Sequence, residues 1–325
     1  MKKCFFAVAA LWISVLGFAS ESLIREYLPS GVDYVTLFDA GKLTASPVYA
    51  VMKKSGWELA GEAAGELAAL LKHNPEAAAE SVMTAGTRKR FLTFVKMNKA
   101  GDPIPKILAA NKEKFPFFTY PPNSKNPFRV YYGKVYFVPL SDCVYGAVRG
   151  KDKALLQGYL DKFSARGRGK EAFLHEMKLL PEKDVFFRAV AFSGNGLFAR
   201  MPGLQMLRKL SLYAQVPGGD RFYVKGKFVF DDPGSAAFGL QMIKQYQLLS
   251  IMVLASGNEV LFGKLAEAFK WSINDRTVTG EFAPDKALCN ELIAILAEKG
   301  TDVLLSGADP KNLFRMPSRR NKRKE

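Results

Sequence analysis

Asp33-Tyr34-Val35-Thr36-Leu37-Phe38 and Val185-Phe186-Phe187-Arg188-Ala189-Val190-Ala191-Phe192 are the two stretches on which the fold turns. Both are short and rich in β-branched and aromatic residues, the composition of a strand. Each follows a Leu-Pro pair, Leu28-Pro29 and Leu180-Pro181. A proline-led segment comes next in both places. Ser46-Pro47-Val48-Tyr49-Ala50-Val51-Met52-Lys53-Lys54 lines up with Met201-Pro202-Gly203-Leu204-Gln205-Met206-Leu207-Arg208-Lys209. Proline suits a first helical turn because its fixed φ is helical and its missing N–H would have no partner there. Arg90-Phe91 and Arg221-Phe222 then open further strands, and Asp152-Lys153-Ala154-Leu155 recurs as Asp285-Lys286-Ala287-Leu288 at a helix start. Four matches in one order read as an internal duplication.

The offset between copies is 152 to 155 residues in the early matches and 131 to 133 in the later ones, so the first copy carries an insertion. The segment near 58–85 fits it: Glu58, Glu62 and Glu66 share one face of a helical repeat, and Leu59, Ala63, Leu67 and Leu71 share another. A second short helix is expected from Pro75 to Met83. The insertion reads either as a lid or partner-binding arm or as extra packing.

The boundaries are then 1–19 for a targeting segment, 20–163 for the first copy, 164–175 for a linker, 176–300 for the second copy and 310–325 for a basic tail. In the second copy we expect strands over 185–192 and 221–230, helices over 202–215 and 285–299, and a helix over 234–269 broken near Gly257. A hairpin over 270–282 should turn at Asn274-Asp275. In the first copy, 128–139 and 142–149 read as strands, with Gly133 at a turn or bulge. The fold class is α+β: two copies of a strand-helix-strand-helix-hairpin-helix unit, giving mostly antiparallel sheet with helices on one face.

Lys2 and Lys3 precede an apolar run from Phe5 to Gly17, and Gly17 and Ala19 supply small residues for cleavage after Ala19. That pattern reads as a cleaved signal peptide and a secreted or periplasmic protein, the alternative being an N-terminal anchor in the inner membrane. No second membrane span is expected, because Leu248 to Ala255 is too short. Loss of Lys2 and Lys3 lowers the formal charge from +16 to about +14, which favours anionic partners or simply keeps the protein soluble. Cys143 and Cys289 would remain, either as a disulfide or as two buried free thiols. Arg319, Arg320, Lys322, Arg323 and Lys324 make the tail a self-repelling, disordered block.

Most chemistry is missing. His73 and His175 are isolated, with no ligand spacing for zinc. Ser193-Gly194-Asn195-Gly196 lacks the first glycine of a nucleophile elbow, and Gly257 to Lys264 fails as a phosphate loop. Asp33, Asp39, Asp142 and Glu281 lie on or beside strands, but a carboxylate pair needs a separation of roughly 5 to 9.5 Å in space. No cofactor is implied. Lys225-Gly226-Lys227-Phe228-Val229-Phe230 is similar to the strand of an RNA recognition motif, except that a lysine takes the place of the first aromatic. Secretion and ordinary strand alternation both disfavour nucleic acid.

Phe115-Pro116-Phe117-Phe118-Thr119-Tyr120-Pro121-Pro122, with Tyr131, Tyr132, Arg129 and Lys134, is the most distinctive composition in the chain. It reads either as a glycan or lipid-head-group platform or as an aromatic core beside a loop. The layout of Leu28-Pro29 opening a strand and Ser46-Pro47 opening a helix, repeated behind a signal-like segment, resembles a group of bacterial secreted proteins of unknown function. The resemblance implies a duplicated α+β fold in a periplasmic or envelope setting and transfers no site residue.

The expected function is non-catalytic binding or scaffolding of an anionic envelope partner, whether lipid head group, polysaccharide or another envelope protein. The alternative is a secreted hydrolase with a polar site in a groove between the copies. If the tail drives adhesion, binding to anionic vesicles will weaken as salt rises and disappear on deleting residues 315–325. Adhesion that survives the deletion places the contact elsewhere.

Overall fold

The computed structural model describes residues 21–39, 41–42, 46, 79–87, 90–97, 104–123, 125, 127–163, 170–193, 198, 203–219, 221–255 and 257–299. Among them twelve strands form one antiparallel sheet. The first half contributes β1 (Tyr34–Asp39), β2 (Ala79–Gly86), β3 (Phe91–Met97), β4 (Phe117–Tyr120), β5 (Phe128–Tyr132), β6 (Val135–Pro139) and β7 (Val144–Arg149). The second contributes β8 (Val185–Phe192), β9 (Leu207–Gln215), β10 (Tyr223–Phe230), β11 (Phe269–Asn274) and β12 (Thr277–Phe282). The spatial order is β11-β12-β10-β9-β8-β1-β2-β3-β7-β6-β5-β4. From the central β1–β8 pair outward, both halves therefore run through strands in the same succession, with β5 and β4 added beyond β6.

The first helices are α1 (Glu21–Tyr27), α2 (Ile104–Ala110), α3 (Lys153–Asp161) and α4 (Lys170–Lys178). They are followed by α5 (Pro233–Ala255), α6 (Glu259–Ala268) and α7 (Lys286–Lys299). No helix among the described residues is long and apolar enough to cross a membrane.

Register sorts the side chains onto two faces, because neighbours along a strand alternate. Val35 pairs with Val190 and Ala85, and Leu37 with Met83, on what we call the front. There α1, α3 and α4 bury Ile24, Tyr27, Leu156, Tyr159, Phe173 and Leu174 against them. The Tyr159 hydroxyl donates to the Tyr27 carbonyl at 3.1 Å, tying α3 to α1. Phe38 pairs with Val82 and Phe187 on the back. In the second half the back is covered by α5, α6 and α7, which bury Phe228, Phe230, Val278, Ile243, Leu265 and Leu292. Each such side chain contributes about 1.5–3 kcal/mol by leaving water. In the first half, Leu108 of α2 joins Phe115, Tyr131, Phe137 and Tyr145 on the back.

Local chemistry explains the long back helices. Asp232 precedes Pro233, and its carboxylate accepts from the Ser235 N–H at 2.9 Å and the Ser235 hydroxyl at 2.6 Å. Those bonds hold its carboxyl below the usual carboxylate range. Gly257, at φ +87, separates α5 from α6, and Asn258 caps α6 by accepting from the Leu261 N–H. Asp285 does the same for α7, accepting from the Leu288 N–H at 2.7 Å.

The α+β class and the antiparallel sheet agree with the sequence. The two copies share that one sheet. The helices that follow β10 and β12 in the second half keep to the back, while α4, just before β8, packs on the front with α1 and α3.

Several elements differ. Residues 202–215 contain strand β9 instead of a helix. Leu207, Leu210 and Ala214 fit a helical spacing, but Leu210, Leu212 and Ala214 also alternate with Lys209, Ser211 and Tyr213, and ladders to β8 and β10 select the strand. The helix expected up to Met83 is replaced from Ala79 by β2, flanked by β1 and β3. The linker over 164–175 gives way at Lys170 to α4, whose Phe173, Leu174 and Met177 are buried. The second hairpin turns at Asp275-Arg276, one residue later than expected, since Asn274 pairs with Thr277. The expected targeting segment, the expected insertion before Ala79 and the basic tail, with Arg319, Arg320, Lys322, Arg323 and Lys324, lie outside the described residues.

On the back of the sheet Gly226 faces Gly280, and the Trp271 ring occupies the space above Gly280. A Cβ built on Gly280 would stand 2.3 Å from the ring, while the Trp271 indole N–H donates to Gln247 of α5 at 2.6 Å. Gly280→Val should therefore lower stability by about 1–3 kcal/mol, read as a lower denaturant midpoint with altered tryptophan emission. An unchanged midpoint would mean that Trp271 is not seated there.

Candidate functional site: a bare basic sheet face

Alternation that buries the back of β9–β12 must push the intervening residues to the front. Across β9, β10, β12 and β11 they form three rows. Tyr213, Lys225, Glu281 and Lys270 make the first, Ser211, Lys227, Thr279 and Ser272 the second, and Lys209, Val229, Thr277 and Asn274 the third. The β9 end of these rows borders α4, with Ser211 buried and Tyr213 packed against the front core, whereas Lys227, Lys270, Ser272 and Asn274 on β10 and β11 are exposed. At strand and residue spacings the patch measures roughly 14 Å by 14 Å. It presents lysine ammonium groups and hydroxyls, with Val229 its one aliphatic member.

Charge is arranged along the first row. Lys225 bonds to Glu281, and Lys270 sits opposite Glu281 on its other side. The Lys225 hydrogen bond, helped by Tyr223 and Lys270, holds the Glu281 carboxyl below its usual 4.5. Burial, with Tyr213 and Glu281 nearby, pushes the Tyr223 phenol upward, so it stays a neutral donor. Lys209 is drawn to the patch edge by Glu176 of α4, 2.8 Å away. Lys227 forms no ion pair among the described residues, which leaves it and Lys270 as the cations most available to a ligand.

The RNA-motif-like stretch divides along the same lines. Phe228 and Phe230, which would have to stack on bases, are 1% and 0% exposed beneath α5. Lys225, Lys227 and Val229 reach the front. The sequence carried this signal: polar residues at every second position of four neighbouring strands mark a sheet with one solvated face.

The aromatic patch expected around Tyr131 and Tyr132 is split by the same alternation. Tyr131 is buried on the back against Phe117, and Arg129 lies on that side with its guanidinium 4.6 Å from the Phe117 ring. Tyr132 points to the front, 42% exposed and 4.3 Å from Tyr136 between ring centroids. Lys134 occupies the β5–β6 turn, where its carbonyl accepts from the Gly150 N–H. These four residues do not make one platform.

No disulfide joins Cys143 and Cys289. Cys143 immediately precedes β7, and the Cys289 thiol accepts from the Phe222 N–H at the start of β10. Six strand spacings separate β7 from β10, about 29 Å, and a disulfide needs Cα atoms within about 7 Å.

The four strand-side acids are also dispersed. Asp33 is buried at the β1 seam, Asp39 lies at the far end of β1 beside Lys42, and Asp142 precedes β7. Glu281 is four strands from β1 on the other side, about 19 Å. His175 is exposed on α4. Among the described residues no three His, Cys, Asp or Glu side chains gather to hold a metal.

No protein-family model and no curated protein matches the chain. Among solved structures, crystal form III of TP0453 is similar with a TM-score of 0.49 at 10% identity, covering 84% of this chain and 97% of that one. Crystal form IV gives 0.48 at 10% identity, over 86% and 100%. A likeness of that size carries no argument about this chain.

The Lys225–Glu281 pair gives a pH test. A lowered folded pKa contributes stability above pH 4.5, which is lost as pH falls through the folded value. Wild-type protein should exceed Glu281→Gln in denaturant midpoint at neutral pH, and the difference should close on acidification below 4.5. A difference independent of pH would show that the pair is not formed.

Proposed function

We propose that the protein is a non-catalytic binding protein of the cell envelope, secreted or periplasmic, which holds an anionic partner against the front of β9–β12. The observation that carries this reading is the three-row face itself. Among the described residues, exposed lysines and hydroxyls, with Glu281 between Lys225 and Lys270, line the front of the strands at that end of the sheet. A formal charge of +16 supplies long-range attraction of the same sign.

The rival reading, a hydrolase in a groove between the copies, finds little support. The copies meet through the β1–β8 ladder. Val35 and Leu37 are buried on its front, and Thr36 and Phe38 on its back. The four strand-side acids stand too far apart for paired acid–base work.

A polyuronate serves as a generic polyanion for the test. The Lys227→Glu, Lys270→Glu double variant should bind it on the order of tenfold more weakly at low salt, with a flatter dependence on ionic strength. The variant should stay folded with a slightly lower thermal midpoint, because Lys270→Glu sets a like charge opposite Glu281 on an exposed, solvent-screened face. Equal affinity of wild type and variant would remove the front face as the binding site.

A further inference from the structure

The bare face ends at an edge of the sheet. The two edges, β11 and β4, are differently protected. β4 has four residues and runs directly into Pro121-Pro122, a short, proline-terminated edge of the kind that resists further pairing. β11 has six residues and no proline.

The groups that β11 leaves outward follow from its ladder. Asn274 pairs with Thr277, and the Ala283 N–H donates to the Ala268 carbonyl. Antiparallel ladders alternate hydrogen-bonded and non-bonded pairs. Lys270, Ser272 and Asn274 therefore bond to β12, while Trp271 and Ile273 aim N–H and C=O away from the sheet. The side chains on this edge also differ by face. Lys270 stands on the front, and Ile273 on the back is 44% exposed.

We propose that β11 is the docking edge for an extended acidic strand of another protein. The proposal rests on the anionic-partner reading and names its partner class. A strand added here would bond to Trp271 and Ile273 at a spacing of about 4.8 Å. Its alternate residues would fall beside Lys270 on the front and Ile273 on the back. The segment it selects alternates acidic and apolar side chains, the acids pairing with Lys270 and the apolar residues covering Ile273. A second copy of this chain is a poorer occupant, because it would bring two strongly basic molecules together.

The test uses the full chain, isotopically labelled, and a synthetic peptide alternating glutamate and valine. The amides of Trp271 and Ile273 should gain about tenfold or more in hydrogen-exchange protection on binding, whereas Lys270 and Ser272, already bonded to β12, change little. Ile273→Pro removes one outward N–H without touching the β12 ladder and should abolish peptide binding while leaving polyuronate binding intact. Lys270→Glu, which reverses one exposed edge charge and whose folding is checked by its thermal midpoint, should lose the glutamate peptide and gain one alternating lysine and valine. Peptide binding that leaves Trp271 and Ile273 unprotected overturns the edge proposal, as does absence of binding. If polyuronate binding still depends on Lys227 and Lys270 in that event, the anionic-partner reading survives without it. If that dependence also fails, both fall.

Discussion

The antiparallel ladder between β1 and β8 is the interaction on which the rest of the molecule depends. It runs from Tyr34 opposite Ala191 to Phe38 opposite Phe187 and makes one sheet of two halves. Without it each half would present a long open edge through its own center, with Val35, Leu37 and Phe38 exposed. The seam is reinforced on the front, where α1 packs on α4 and Glu21 approaches Arg188 at 3.6 Å. On the back, the Phe38 and Phe186 rings meet edge to face at 5.2 Å. Strands this deeply covered on both sides cannot slip by one residue without turning Leu37 and Phe38 to the wrong faces.

The bare face follows from a difference between the halves. α3 and α7 begin from the same tetrapeptide and follow equivalent strands, β7 and β12. Yet α3 packs on the front, burying Leu156, Tyr159 and Leu160, while α7 packs on the back. The reason lies in what each apolar stripe can meet. Leu288 and Leu292 of α7 join Ile251 and Ala255 of α5 and Leu261 and Leu265 of α6, a helical layer that the short α2 does not reproduce. With its last helix drawn to the back, the second half keeps, among the described residues, no helix to cover the front of β10–β12. Strand alternation then decides what that front displays: once Phe228 and Val278 are buried, Lys227 and Thr279 must face solvent.

Much of this was legible in the residues. The Leu-Pro, Arg-Phe and Asp-Lys-Ala-Leu matches locate the succession of strands and helices, because turn and cap chemistry is local. What the sequence obscured depended on distant partners. β9 satisfies two periodicities at once, and its neighbors choose between them. Residues 170–175 look like part of a linker until Phe173 and Leu174 find the front core. Tyr131 and Tyr132 are neighbors in sequence and so look like one platform, whereas strand geometry sends them to opposite faces. Lys225 and Lys227 were visible from the start, but their meaning required knowing which face the helices cover.

Native-state hydrogen exchange across the β1–β8 seam tests this account most directly. If the halves are one cooperative body, amides of Val35 to Phe38 and of Phe187 to Val190 will be among the slowest in the protein. They will exchange only through global opening, with the same denaturant dependence on both strands. Seam amides that exchange through a low-energy opening, while β3 and β10 remain protected, would show two separable domains and contradict the single-sheet architecture.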